Sequence, residues 1–94
     1  MFGNNKVRKY IRFYGDVQAV GFRYYANKAA NLYGATGWVR NEYDGSVSME
    51  IQASERTIDD VIASLQRGTY IRIDRMEVKK LELVPDERGF RVRY

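Results

Sequence analysis

The chain has no cysteine and no histidine among its 94 residues. Without thiols it has no disulfide framework, no thiolate nucleophile and no thiolate metal ligand. Without imidazole it lacks the commonest general base and the commonest metal ligand. Proline and tryptophan occur once each. No apolar run is long enough to span a membrane, and the polar start over residues 1–6 has no signal-peptide core. The expectation is a cytoplasmic protein, free of any membrane. Its chemistry must rest on carboxylates, amides, hydroxyls, arginine, lysine or the backbone.

What is present is an ordinary globular composition, 45% hydrophobic and 30% charged. The length suits a single domain over residues 1–94, with residues 1–6 expected to be flexible. The formal charge of +4 favours anionic partners. On charge alone, small phosphorylated metabolites, nucleic acid and acidic surfaces all stay open.

Residues 7–14 alternate, with Val7, Ile11 and Phe13 on one face and Arg8, Tyr10 and Arg12 on the other, as in a half-buried strand. A glycine-bracketed stretch from Gly15 to Gly21 interrupts it. Phe22, Tyr25 or Ala26, Ala29, and Leu32 or Tyr33 then follow helical spacing, and Gly34 is a natural stop. Residues 36–41 read as a second strand. Tyr43-Asp44-Gly45-Ser46 carries a hairpin-turn signal, and residues 47–53 alternate as a third strand. Ser54 is placed to cap a second helix whose apolar stripe is Ile58, Val61, Ile62 and Leu65, ending before Gly68. Residues 71–84 contain a fourth strand. Its apolar phase slips between Met76/Val78 and Leu81/Leu83, which predicts a bulge or break there. Phe90, Val92 and Tyr94 make a short last strand.

This order, βαββαβ plus a terminal strand, predicts an α+β fold: a ferredoxin-like sandwich with two helices on one face of a mostly antiparallel sheet. The first two strands are then parallel, joined by a right-handed crossover. Their carboxyl ends share one edge of the sheet, so the glycine loop after the first strand lies beside Asn41 at the end of the second.

That juxtaposition nominates a site. The N–H groups of Asp16, Val17, Gln18, Ala19 and Val20 are candidates to cradle an anion at the start of the first helix, where the helix dipole adds to them. Arg23 offers a planar guanidinium for phosphate oxygens. Taken alone, the stretch reads equally well as a tight strand-to-helix turn with a solvated arginine, since glycine pairs flank many turns. Asn41 alone reads as a pre-turn asparagine. Opposite the loop, it becomes a candidate to orient a water through its amide. Trp38 reads as core or pocket wall, and Asp16 and Asp44 most simply as turn residues.

The stretches Gly15-Asp16-Val17-Gln18-Ala19-Val20-Gly21-Phe22-Arg23, Thr36-Gly37-Trp38-Val39-Arg40-Asn41 and Asp44-Gly45-Ser46-Val47 resemble the acylphosphatase family. The likeness runs from the first strand to the closing Gly89-Phe90-Arg91-Val92-Arg93-Tyr94. The resemblance implies the same ferredoxin-like fold and hydrolysis of the carboxyl–phosphate bond in small acyl phosphates, releasing a carboxylate and inorganic phosphate. It places the phosphate-binding arginine on Arg23, the water-orienting asparagine on Asn41 and the main-chain cradle on Asp16 to Val20. No metal and no organic cofactor are implied, and the substrate phosphate is the implied acceptor of the water's proton. The family pattern usually has glycine where this chain has Ala19. A positive φ there strains the loop by about 1 kcal/mol or more, whereas a negative φ lets alanine stiffen it.

Two other readings compete. An RNA-binding module shares the βαββαβ order, but such sheets carry aromatics on a central strand, and residues 47–53 have none. No nucleic-acid partner is therefore expected. A non-catalytic anion-binding accessory domain would bind phosphate at the loop and turn nothing over. A monomer is the simplest oligomeric expectation.

Overall fold

The alternating apolar run at the start of the chain becomes the spine of the sheet. In the computed structural model, which describes residues 5–94, this strand, β1, covers Lys6–Asp16. It is followed by α1 (Phe22–Tyr33), β2 (Thr36–Asn41), β3 (Val47–Ser54), α2 (Glu55–Gln66), β4 (Arg72–Leu81) and β5 (Phe90–Arg93). The strands lie in the order β4-β1-β3-β2-β5. β3 is antiparallel to both β1 and β2, so those two run parallel to each other, and β5 pairs parallel with β2. Both helices bury one face against this sheet, giving the ferredoxin-like α+β sandwich; the α1 stripe ends on Ala29 and Ala30, because Leu32 and Tyr33, expected to close it, turn to the exposed side.

The core explains why the site's flanks are rigid. Ile11 and Phe13 of β1, Val39 of β2, and Val47, Met49 and Ile51 of β3 are fully buried against the helices. α1 buries Phe22, Ala26, Ala29 and Ala30; α2 buries Ile58, Val61 and Leu65. Phe13 and Phe22 meet with ring centroids 4.9 Å apart, tying the end of β1 to the start of α1 across the loop between them. Each such buried ring contributes about 1.5–3 kcal/mol. The Ser54 hydroxyl accepts from the Thr57 N–H at 3.1 Å, so the second helix starts where its cap was expected.

Three expectations need correction. Lys6 already pairs with Ser54 in β1 and so does not belong to a flexible tail; residues 1–4 lie outside the described residues. β1 also runs past Tyr14 to Asp16 because the chain bulges there instead of turning. The register passes from Tyr14↔Arg75 to Gly15↔Ile73, leaving Asp74 as the extra residue. Gly15 makes this possible: at φ 135°, a Cβ would lie 2.2 Å from the Arg72 carbonyl oxygen. Of the bulge or break predicted between Met76/Val78 and Leu81/Leu83, the bulge is absent and the break is the end of β4 at Leu81, with Leu83 beyond it. β4 is an edge strand, and its Met76 and Val78 remain 38% and 51% exposed, which blurs its apolar phase.

The face opposite the helices also differs from a simple solvated surface. Arg8 is 2% exposed. Its guanidinium donates to Glu50 Oε1 at 2.9 Å and Glu87 Oε1 at 2.7 Å. The segment after β4 folds back over this face, where Gln52 exchanges two hydrogen bonds with the Val84 backbone. Burial raises the Glu87 carboxyl, but hydrogen bonding by Arg8 and Thr36 and the charges of Arg8 and Arg91 outweigh it and hold the group below its ordinary range. A charge can be buried here because it is paired and fully hydrogen-bonded.

Candidate active site

The loop between β1 and α1 and the carboxyl end of β2 enclose a cleft of about 330 Å³. Its lining includes Val17, Ala19, Arg23 and Asn41. Parallel β1 and β2 bring these residues together, as the topology requires.

The loop ends at Gly21, the residue before α1, in the left-handed conformation at φ 83°. Its side-chain-free Cα offers no cap, and no acidic residue occupies the first turn of the helix. The first helical N–H with an acceptor is that of Tyr25, which reaches the Gly21 carbonyl at 2.9 Å. Among the described residues, the amides of 17–24 have no backbone acceptor. A helix end left open in this way attracts an anion through its unpaired N–H groups and its dipole. Ala19 adopts φ 60°. Of the two cases the sequence left open, the left-handed one holds, and alanine is strained at this position.

The side chains of the loop divide their tasks. Val17 is 1% exposed and anchors the loop in the core, and Val20 packs against that core. The amide of Gln18 donates to the carbonyl oxygens of Glu42, at 2.7 Å, and Ser46, at 2.9 Å. Asp16 is corrected from turn residue to strand residue. It closes β1, and its carboxylate pairs with Arg72 on β4 at 2.5 Å. Gln18, Val20 and Asp16 therefore do not line the cleft.

Arg23 is half-buried in the first turn of α1. Among the described residues, no carboxylate lies within 4.0 Å of it, and its guanidinium stands 5.0 Å from the centre of the Tyr94 ring. The contact orients the charge without neutralising it. At the end of β2, Asn41 Oδ1 is buried and has no hydrogen-bond partner among the described residues. A buried carbonyl oxygen in that state costs about 1–3 kcal/mol, unless a water or ligand supplies the donor.

The hairpin that carries Asn41 is stiffened from outside the cleft. Asp44 accepts from the Ser46 N–H at 3.0 Å and from Arg12 at 3.2 Å. The Ser46 hydroxyl and N–H, then Arg12, hold the Asp44 carboxyl down to about 2. Glu42, next to Asn41, is turned to Ser48 and Arg40, and the Ser48 hydrogen bond is the main cause of its lowered pKa. The carboxylate that follows Asn41 in the chain is thus already paired and does not line the cleft.

Tyr24 and Asn27 of α1, Val92 of β5 and Tyr94 just after it also line the cleft. The Phe90-Val92-Tyr94 alternation placed the last two on one face, but only the parallel pairing of β5 with β2 puts that face at the cleft. Asn27 and Asn31 hold β5 there through the Phe90 carbonyl, at 2.8 and 3.3 Å.

Fold and site define an α+β sandwich with an arginine-bearing cleft at the end of two parallel strands. A family model described as acylphosphatase matches residues 9–92, and the chain belongs to the acylphosphatase family. The acylphosphatase of Geobacillus thermodenitrificans (strain NG80-2) is 36% identical over 88 residues, covering 93% of this chain and 94% of the relative. That of Rhizobium etli (strain ATCC 51251) is 42% identical over 92 residues, covering 95% and 94%. The crystal structure of the Bacillus subtilis acylphosphatase superposes with a TM-score of 0.85 at 25% identity, covering 94% of this chain and 99% of that one. Among the described residues, no helix is long and apolar enough to cross a membrane.

Proposed function

We propose that this acylphosphatase performs its hydrolysis in the cleft between the 17–24 loop and the end of β2. Arg23 and the free amides of the loop and helix end hold the phosphoryl oxygens and stabilise the charge that shifts in the transition state. Asn41 accepts a hydrogen bond from the attacking water through Oδ1 and holds it in line with phosphorus. The water oxygen bonds to phosphorus as the phosphorus–carboxyl oxygen bond breaks, and the electron pair leaves on the carboxylate. The proton of the water passes to a phosphoryl oxygen. A carboxylate leaves readily, so no general acid is needed, and no metal or organic cofactor takes part. The carrying observation is the pair formed by an unneutralised arginine and a buried, unpartnered amide oxygen in one cleft. The reading takes residues 1–94 as one domain, acting as a monomer in the cytoplasm on a small substrate.

Hydrolysis of benzoyl phosphate by the purified protein, with a chelator present, tests it. Turnover that disappears in Arg23→Ala supports the assignment. Competitive binding of inorganic phosphate without turnover would favour the anion-binding accessory domain, with the strained Ala19 loop as its physical basis.

A further inference from the structure

The phosphoryl machinery accounts for only part of the cleft. Tyr24, Val92 and Tyr94 line it too, and none of them supplies charge or an oriented water. Their positions relative to Asn41 matter. Asn41 Oδ1 is fully buried, whereas Tyr24 and Tyr94 are 63% and 95% exposed. Attack on phosphorus is in line, so the leaving oxygen lies opposite the water. A water held by buried Asn41 directs the acyl group outward, toward the mouth where the two rings stand.

We propose that Tyr24 and Tyr94, with the apolar Val92, form an acyl-recognition site selective for flat, aromatic acyl groups over short aliphatic ones. The inference rests on the acylphosphatase reading of the same cleft. The Tyr24 ring is steadied edge-on by Tyr25, with centroids 5.3 Å apart. The Tyr94 ring is steadied by the Arg23 guanidinium. Rings held in this way offer offset or edge contacts to a third ring, a geometry that an acetyl group cannot exploit. Exposed apolar rings gathered at the mouth of a polar site also gain by being covered when such a substrate binds.

The test compares kcat/KM for benzoyl phosphate and acetyl phosphate in the wild type, Tyr24→Ala, Tyr24→Phe and Tyr94→Leu. The wild type is expected to prefer benzoyl phosphate by roughly tenfold or more, the scale of a specific apolar contact. Tyr24→Ala and Tyr94→Leu should shrink that ratio, and Tyr24→Phe should keep it. Tyr24 is largely exposed, so its truncation leaves the core intact. Equal losses on both substrates would assign the rings to the phosphate site and overturn the inference. Wild-type turnover of both substrates without preference would overturn it as well. Turnover of neither, with phosphate still binding, would instead remove the acylphosphatase reading on which it stands.

Discussion

A single hydrogen bond joins Gln18 to Glu42: the side-chain Nε2 of one donates to the carbonyl oxygen of the other at 2.7 Å. Its second N–H reaches the Ser46 carbonyl at 2.9 Å. One amide therefore sets the distance between the loop that carries the free N–H groups and the hairpin that carries Asn41. Gln18→Leu keeps the bulk and removes both bonds. We expect stability to fall by about 1–2 kcal/mol, and kcat to fall more than phosphate affinity does. Urea unfolding with steady-state kinetics and phosphate inhibition checks this; full kcat in the variant would exclude the tether from positioning.

Arg23→Ala should lose at least ~10² in kcat/KM, the scale for removing one charge-stabilising donor. Arg23→Lys should recover a minor part, since an ammonium restores charge but not the planar fork. Because Arg23 has no carboxylate partner to orphan among the described residues, neither substitution should destabilise the fold strongly. Parallel kinetics and thermal melts on the two variants separate these effects.

Asn41→Ala should reduce kcat by about 10²-fold by releasing the water from its line of attack. Inorganic phosphate should inhibit it as it does the parent. Removing an amide oxygen that has no partner among the described residues relieves a buried polar group, so the melting temperature should hold or rise. Near-full kcat would reject the role assigned to this residue.

Most of the fold can be read from the chain because its local signals agree. Ser54 caps α2, Gly34 stops α1, and the α2 stripe faces the core that its spacing indicates, whereas in α1 Phe22, Ala26 and Ala29 do so but Leu32 and Tyr33 are exposed and Ala30 is buried in their place. Errors fall where a distant segment decides. Arg8 sits at an alternating position and reads as solvated, until Glu87, far along the chain, folds over and pairs with it. Gly15 reads as the start of a turn, but β4 extends the ladder through it. The meeting of Arg23, Asn41 and the loop in one cleft was legible from the parallel crossover. The tether of Gln18 and the approach of Tyr24 and Tyr94 were not, because no spacing rule relates a side chain to a carbonyl or to a neighbouring strand's end.

Ala19 offers a test of backbone strain. At φ 60°, Ala19→Gly removes a penalty of about 1 kcal/mol but adds unfolded-state entropy worth about 0.4–1 kcal/mol. The denaturation midpoint should therefore stay level or rise slightly, with the cradle and the turnover kept. Ala19→Val should lose about 1–3 kcal/mol, since a β-branched residue resists this conformation more strongly. A clear loss of stability in Ala19→Gly would contradict the strain.

Acid should loosen the hairpin beneath Asn41. The Asp44 carboxyl is held at about 2 when folded, below its ordinary 3.8. A depressed folded value contributes stability that is complete above the unfolded value and lost as pH falls through the folded one. Melting curves across that acid range should show this loss in the wild type, and Asp44→Asn should flatten the corresponding part of the profile. An identical profile in the variant would exclude Asp44 as a source of the acid sensitivity.

The open start of α1 has an effect on handling as well as on catalysis. A helix end with no acidic residue and no side-chain cap is a standing receptor for any small oxyanion in the medium. Sulfate or phosphate buffers should therefore protect the protein from heat and slow its turnover at once, through one seat. Protection grows with occupancy, to about 2.7 kcal/mol at a hundredfold excess over Kd. Preparations stored in phosphate for the sake of stability would then understate the enzyme, and exchange into chloride would reveal a faster but more fragile one.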